Sequence, residues 1–229
     1  LGLGVFSTMY WLPEHSLLML CGSAISIFLF FLFRHDDQKR VTHLIGSSVT
    51  AIIYGAVFMG LLALVNRDTG SAGPFWILLT LSIVWMSDTG AYFSGRAFGK
   101  RKLYEAVSPN KSVEGAIGGF FSSIAAAFAL NAGFTAIAGE SGYSSDLFGL
   151  SFAHIELGWK ELTASQVLLI AIPGNILGQT GDLAESLVKR AHGVKDSGTI
   201  IYGHGGILDR IDALIFASPW IYYCATTVV

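Results

Sequence analysis

The run Leu17-Leu18-Met19-Leu20-Cys21-Gly22-Ser23-Ala24-Ile25-Ser26-Ile27-Phe28-Leu29-Phe30-Phe31-Leu32-Phe33, closed by Arg34, carries no charge. Its length is close to the ~20 residues that cross a bilayer as a helix. A helix apolar on every side belongs in lipid or at the centre of a large core. Outward from this run the pattern recurs. Residues 1–12 read as the tail of a spanning helix broken by Pro13-Glu14-His15. Further spans are expected over residues 44–65, 75–93, 113–138, 162–191 (bent or broken near Pro173-Gly174) and 207–228. The pattern predicts an all-α integral membrane protein, a multi-span helical bundle with about six spans in this chain. The sequence opens at Leu1 inside an apolar stretch, so N-terminal helices are expected to be missing from it.

Composition agrees. The chain is 52% hydrophobic and 13% charged, with a mean hydropathy of +0.58; a soluble domain carries about 25% charged residues. The net charge of -2 gives no reason to expect a nucleic-acid partner. Cys21 and Cys224 both lie in apolar segments and imply neither a disulfide nor a metal framework. With these spans, twelve of the fourteen Lys and Arg fall on one side, Arg67 and Lys160 being the exceptions. The positive-inside rule then places loops 34–43, 96–112 and 192–206 in the cytoplasm.

Those loops border the residues able to do chemistry. Asn175, Gln179, Asp182, Ser186 and Lys189 recur at helical spacing along one stripe, with Glu185 beside it. A polar stripe on a spanning helix faces protein or a water-filled cavity. Asp209 and Asp212 share a face at the start of the last span, with Arg210 between them. Four carboxylates (Asp182, Glu185, Asp209, Asp212) at two adjacent helix ends repel unless cations join them. Hard carboxylate oxygens suit Mg²⁺ completed by substrate phosphates; a salt-bridge cluster with Lys and Arg is the alternative. The intervening loop holds Lys195, His204, Gly205 and Gly206, suited to an anion. A second cluster comprises Asp88 and Tyr92 on one helix face, Lys100 in a basic rim, and Lys111 with Glu114. The Gly115-x-x-x-Gly119 spacing points to helix packing.

From Ser186 to Asp212 the chain resembles the C-terminal motif of the CTP:phosphatidate cytidylyltransferase (CDP-diacylglycerol synthase) family. Ser186, Lys189-Arg190, Lys195-Asp196, His204-Gly205-Gly206, Asp209-Arg210 and Asp212 stand with every gap length kept. Tyr202 departs, standing where Pro or Gly is usual. Ser87-Asp88-x-x-Ala91-Tyr92 and Ser108-Pro109-x-Lys111-Ser112-x-Glu114-Gly115 also look like the family's elements.

The resemblance implies conversion of phosphatidate and CTP into CDP-diacylglycerol and pyrophosphate, with metal on Asp182 and Asp209. It also implies a second cation, monovalent such as K⁺, and a homodimer in the membrane. On that basis residues 1–73 are expected to be N-terminal transmembrane helices serving scaffold and dimer contacts. Residues 74–229 form the catalytic transmembrane domain, in the inner or cell membrane with its site facing the cytoplasm. Asp88, Asp182, Lys189, Arg190 and Asp209 are the expected catalytic set. Lys111, Glu114, Ser186, Lys195, His204, Gly205, Gly206, Arg210, Tyr92 and Lys100 are expected to bind substrate or phosphate, and Asp182, Glu185, Asp209 and Asp212 to hold Mg²⁺. A CTP-dependent lipid kinase or another lipid cytidylyltransferase would use the same cluster. An ion-coupled transporter would instead spread its polar residues through the membrane depth.

Overall fold

The computed structural model describes residues 1–34, 38–139, 146–147, 150–151, 161–199 and 205–228. His204 and Tyr202, singled out from the sequence, lie outside the described residues. Helices α1 (Gly2–Trp11) and α2 (Ser16–Arg34) flank a short 3-10 turn at Pro13–His15, where Pro13 and its polar neighbours predicted a break. Next come α3 (Gln38–Ile52), a π-helical stretch (Ile53–Phe58) and α4 (Met59–Asp68). Helix therefore begins at Gln38, within the expected charged loop. Lys39 and Arg40 can extend a helix because long straight side chains cost little in helix propensity.

The rest comprises α5 (Gly73–Phe98), β1 (Lys102–Tyr104), β2 (Ser108–Ser112), α6 (Val113–Gly139), the two-residue strands β3 (Asp146–Leu147) and β4 (Leu150–Ser151), α7 (Ala164–Ala191) and α8 (Leu208–Thr227). Five helical stretches among the described residues are long and apolar enough to cross a membrane. α8 has 20 residues, a length of about 30 Å, and carries Asp209, Arg210 and Asp212 in its first turns. The protein is a multi-pass helical membrane protein. α7 is continuous through Pro173, so of the bend or break expected there the break is absent.

The chain divides into two compact units, Leu1–Leu64 and Val65–Val229. In the first, α2 leaves Leu17, Leu18, Leu32 and Phe33 largely exposed, as lipid-facing residues are. In the second, α5 is the central helix. Half of its apolar window is buried, against 11% for α2. Trp76, Leu79, Ile83 and Ser87 follow a helical stripe into the core, and Val167 and Ile170 of α7 and Ile215 and Ile221 of α8 are buried as well.

α5 and α6 pack backbone to backbone. A Cβ on Gly119 would stand 2.6 Å from the Ser87 carbonyl oxygen, and one on Gly115 2.9 Å from that of Ala91. The Gly115-x-x-x-Gly119 spacing thus marks a close helix crossing, as expected of small residues in membrane helices. α7 lies against α5, α6 and α8.

Candidate active site

Within the second unit, the end of α5, the β1–β2 hairpin, the start of α6, the end of α7 and the start of α8 gather together. Two features of sequence bring them there. A Cβ on Gly181 would meet the Asp212 carbonyl oxygen at 2.8 Å, so α7 and α8 approach closely where the carboxylates begin. One turn deeper, neutral amides tie three helices together. Asn175 Nδ2 donates to Ser87 Oγ at 2.7 Å, and Gln179 Nε2 donates to Asn175 Oδ1 at 2.9 Å and to the Ala116 carbonyl at 3.1 Å. The inner half of the α7 stripe is therefore a structural hydrogen-bond network.

The outer half is a charge network. Lys111 pairs with Asp182. Lys189 bridges Glu185 and Asp209, with Nζ 2.7 Å from Asp209 Oδ1. Glu185 is buried and its contact with Lys189 is ionic; its other oxygen, Oε1, has no hydrogen-bond partner among the described residues. Asp212 is also buried, with Oδ1 accepting the Ala213 N–H at 2.8 Å. Asp88 is exposed on α5, yet close enough to feel the charges of Asp182 and Lys111. Asp212 in turn feels Asp182, Glu185 and Asp88. Within this set five carboxylates face two ammonium groups. Among the described residues no three acidic, imidazole or thiol side chains converge on a single point; the lysines stand among them instead.

Asp209 is the most heavily bonded member. Its Oδ2 accepts the Ser197 N–H at 2.9 Å, the Ser197 hydroxyl at 2.8 Å and the Gly206 N–H at 2.7 Å. With Lys189 on Oδ1, about four lone-pair sites are taken. This carboxylate folds both ends of the glycine-rich loop onto α8. Gly205 permits it: its φ is +79°, and a Cβ there would come within 2.7 Å of Asp209 Oδ2. Ser197 was not singled out from the sequence, since it stands at a position after Lys195-Asp196 that the motif leaves open to any residue.

The other expected residues fall in three groups. Ser186 Oγ reaches Asp182 Oδ1 at 3.5 Å, and Arg190 Nε reaches the Val107 carbonyl at 3.5 Å, so both touch the network or the hairpin over it. Lys195 and Arg210 are exposed beside it. Tyr92 is exposed and its hydroxyl accepts from Arg96 Nη1 at 3.2 Å; among the described residues no hydrogen bond or ion pair joins it to the carboxylates. Lys100 enters only through its backbone N–H, which donates to Glu114 Oε2 at 3.1 Å.

An acidic cluster paired with two lysines, with a Gly-rich loop at its side and a basic rim, is suited to polyphosphate chemistry near a membrane surface. The sequence model of the cytidylyltransferase family matches residues 3–228. The chain is 42% identical over 151 residues to a phosphatidate cytidylyltransferase of Staphylococcus haemolyticus, covering 66% of this chain and 49% of the relative. It is 38% identical over 191 residues to a protein of that name from Bacillus subtilis, covering 83% and 59%. With the Haemophilus influenzae phosphatidate cytidylyltransferase it shares 42% identity over 152 residues, covering 66% and 46%. The chain spans about half the length of the curated relatives it matches. Matched along almost its whole length, the chain belongs to the cytidylyltransferase family.

Proposed function

We propose that the protein transfers CMP from CTP to phosphatidate, giving CDP-diacylglycerol and pyrophosphate for phospholipid synthesis. The observation that carries this reading is the excess of carboxylates over lysines at one end of the second unit, in a chain whose relatives are phosphatidate cytidylyltransferases. A phosphate oxygen of phosphatidate forms a bond to the α-phosphorus of CTP, and the bond from that phosphorus to the bridging oxygen breaks. Pyrophosphate leaves with the electron pair. The nucleophile is already ionised, so no general base is needed; positioning and charge neutralisation do the work. Lys111 and Lys189 are placed to turn from carboxylates to phosphates, with Lys195 and Arg210 at the rim for the remaining charge and the lipid headgroup. Arg190 and Ser186 hold the hairpin and Asp182 in place.

Mg²⁺ fits the donors present. Carboxylate oxygens are the ligands it prefers, and Glu185 Oε1 is buried without a hydrogen-bond partner among the described residues. Asp182, Glu185, Asp209 and Asp212 would hold it only once Lys111 leaves Asp182 and Lys189 leaves Glu185 and Asp209. Bound there, the ion would neutralise phosphate charge and act as a Lewis acid. A second, monovalent cation such as K⁺ belongs to the same proposal, on the same carboxylate excess. So do a homodimer and an inner-membrane site facing the cytoplasm, where CTP is found and where the Lys and Arg distribution points.

The test is product analysis. Full-length protein in liposomes is given phosphatidate, CTP and Mg²⁺. CDP-diacylglycerol and pyrophosphate in equal amounts are expected. CDP with a newly phosphorylated lipid would overturn the reading in favour of a kinase.

A further inference from the structure

We propose that Glu114 is a positioning residue rather than a substrate contact: it fixes the base of the β1–β2 hairpin so that Lys111 reaches Asp182. The proposal rests on the reading of Lys111 as part of the phosphate site. Glu114 is the second residue of α6, yet its carboxylate reaches back to the residues that follow α5. Oε2 accepts the backbone N–H groups of Lys100 at 3.1 Å and Arg101 at 3.2 Å, and Oε1 accepts Arg101 Nε at 3.2 Å. The Val113 N–H donates to the Arg101 carbonyl at 2.9 Å, closing a ring between the end of one helix and the start of the next. Most of the Glu114 acceptor capacity is thus used inside the protein. The Arg101 side chain is 72% exposed, so that ion pair contributes little and the two backbone N–H groups carry the latch.

The hairpin explains what the latch is for. Lys102 pairs with Ser112 and Tyr104 with Ser108, so residues 109–111 bulge opposite Leu103 alone. Pro109 has no N–H to give to a ladder, and its carbonyl accepts Lys102 Nζ at 2.5 Å. Bulges re-aim side chains next to active sites. Lys111 sits in this one and is turned onto Asp182. At the far end of the hairpin, Val107 is buried and its carbonyl meets Arg190. Lys111 is therefore carried on an arm held at its tip by Arg190 and at its base by Glu114.

The experiment is a double-mutant cycle on CDP-diacylglycerol formation by the full-length protein in liposomes, with Lys111→Ala, Glu114→Ala and the pair. Lys111→Ala is expected to lower turnover about 100-fold, as for loss of one charge-stabilising group. Glu114→Ala should fall at least about tenfold, and the double variant should match Lys111→Ala within about twofold, because residues acting through one another are not additive. Glu114→Gln keeps an acceptor oxygen for the backbone N–H groups and should recover most of the loss. If Glu114→Ala does not fold, as judged by thermal unfolding in detergent, the cycle is run with Glu114→Asp, which keeps the charge but is one methylene too short to hold both backbone N–H groups. Losses that multiply in the double variant would overturn the positioning role while leaving the phosphate site intact. Lys111→Ala at the wild-type rate would overturn both, by removing Lys111 from the site.

Discussion

The α7 stripe has two halves that differ in kind. Asn175 and Gln179, on the inner half, are neutral, and their amides spend their hydrogen bonds on Ser87, Ala116 and each other. Asp182, Glu185 and Lys189, on the outer half, are charged and held by ion pairs, with one buried oxygen of Glu185 unbonded among the described residues. Both halves meet the rule that polar groups on a spanning helix must face protein. The difference teaches how to separate structure from function in such a stripe: satisfied amides hold helices, whereas surplus like charge awaits a ligand. The far end of the same unit behaves like the inner half. There Asn131 exchanges hydrogen bonds with the backbone of Leu162, Thr163 and Gln166 form a capping box, and Tyr222 donates to Asp68 at 2.8 Å.

Replacing Asp209 by Ala attacks the boundary between the two kinds and should have the largest effect on stability. It strands Lys189, Ser197 and the Gly206 N–H together. The pair is part-buried, the hydrogen bonds lost are made to a charged group and are worth about 1.5–3 kcal/mol each, and hydrogen exchange around residues 195–199 should rise with the fall in thermal midpoint. Unchanged exchange there would mean that Asp209 does not organise the loop. Asn175→Ala probes the inner half. The loss of its buried hydrogen bonds should cost about 1–3 kcal/mol, with turnover within about threefold of wild type once folded; a collapse of turnover in stable protein would erase the distinction. Tyr222→Phe, at the far end, should be the mildest, costing about 1 kcal/mol in denaturation and leaving turnover unchanged.

Much of this was legible in the sequence, for physical reasons. Span existence follows from run length, and the α7 stripe and the Asp209/Asp212 pair follow from helical spacing, which survives because these helices are regular. The Gly115-x-x-x-Gly119 crossing was readable because close backbone approach demands small residues. The hairpin was not. Lys102–Tyr104 and Ser108–Ser112 are too short and too polar to show alternation, and Pro109 argues against a ladder. The Glu114 latch was also hidden, because its main partners are backbone N–H groups, which no side-chain pattern announces. Of the bend or break expected near Pro173-Gly174, the break is absent because a proline inside a packed membrane helix is tolerated by its neighbours. Asp209 carried a double meaning: its place in the motif pointed to metal, whereas its bonds to Ser197 and Gly206 depend on a loop path that spacing alone does not give.

The most direct test compares Mg²⁺-dependent CDP-diacylglycerol formation by Asp182→Asn with that by the wild-type protein, both full-length, folded and in liposomes. Asn keeps the size of Asp182 and removes its charge from the Lys111 pair. A loss of at least about 100-fold in turnover with an unchanged thermal midpoint is the predicted result. Wild-type turnover in folded Asp182→Asn protein would contradict the assignment of the outer stripe to catalysis.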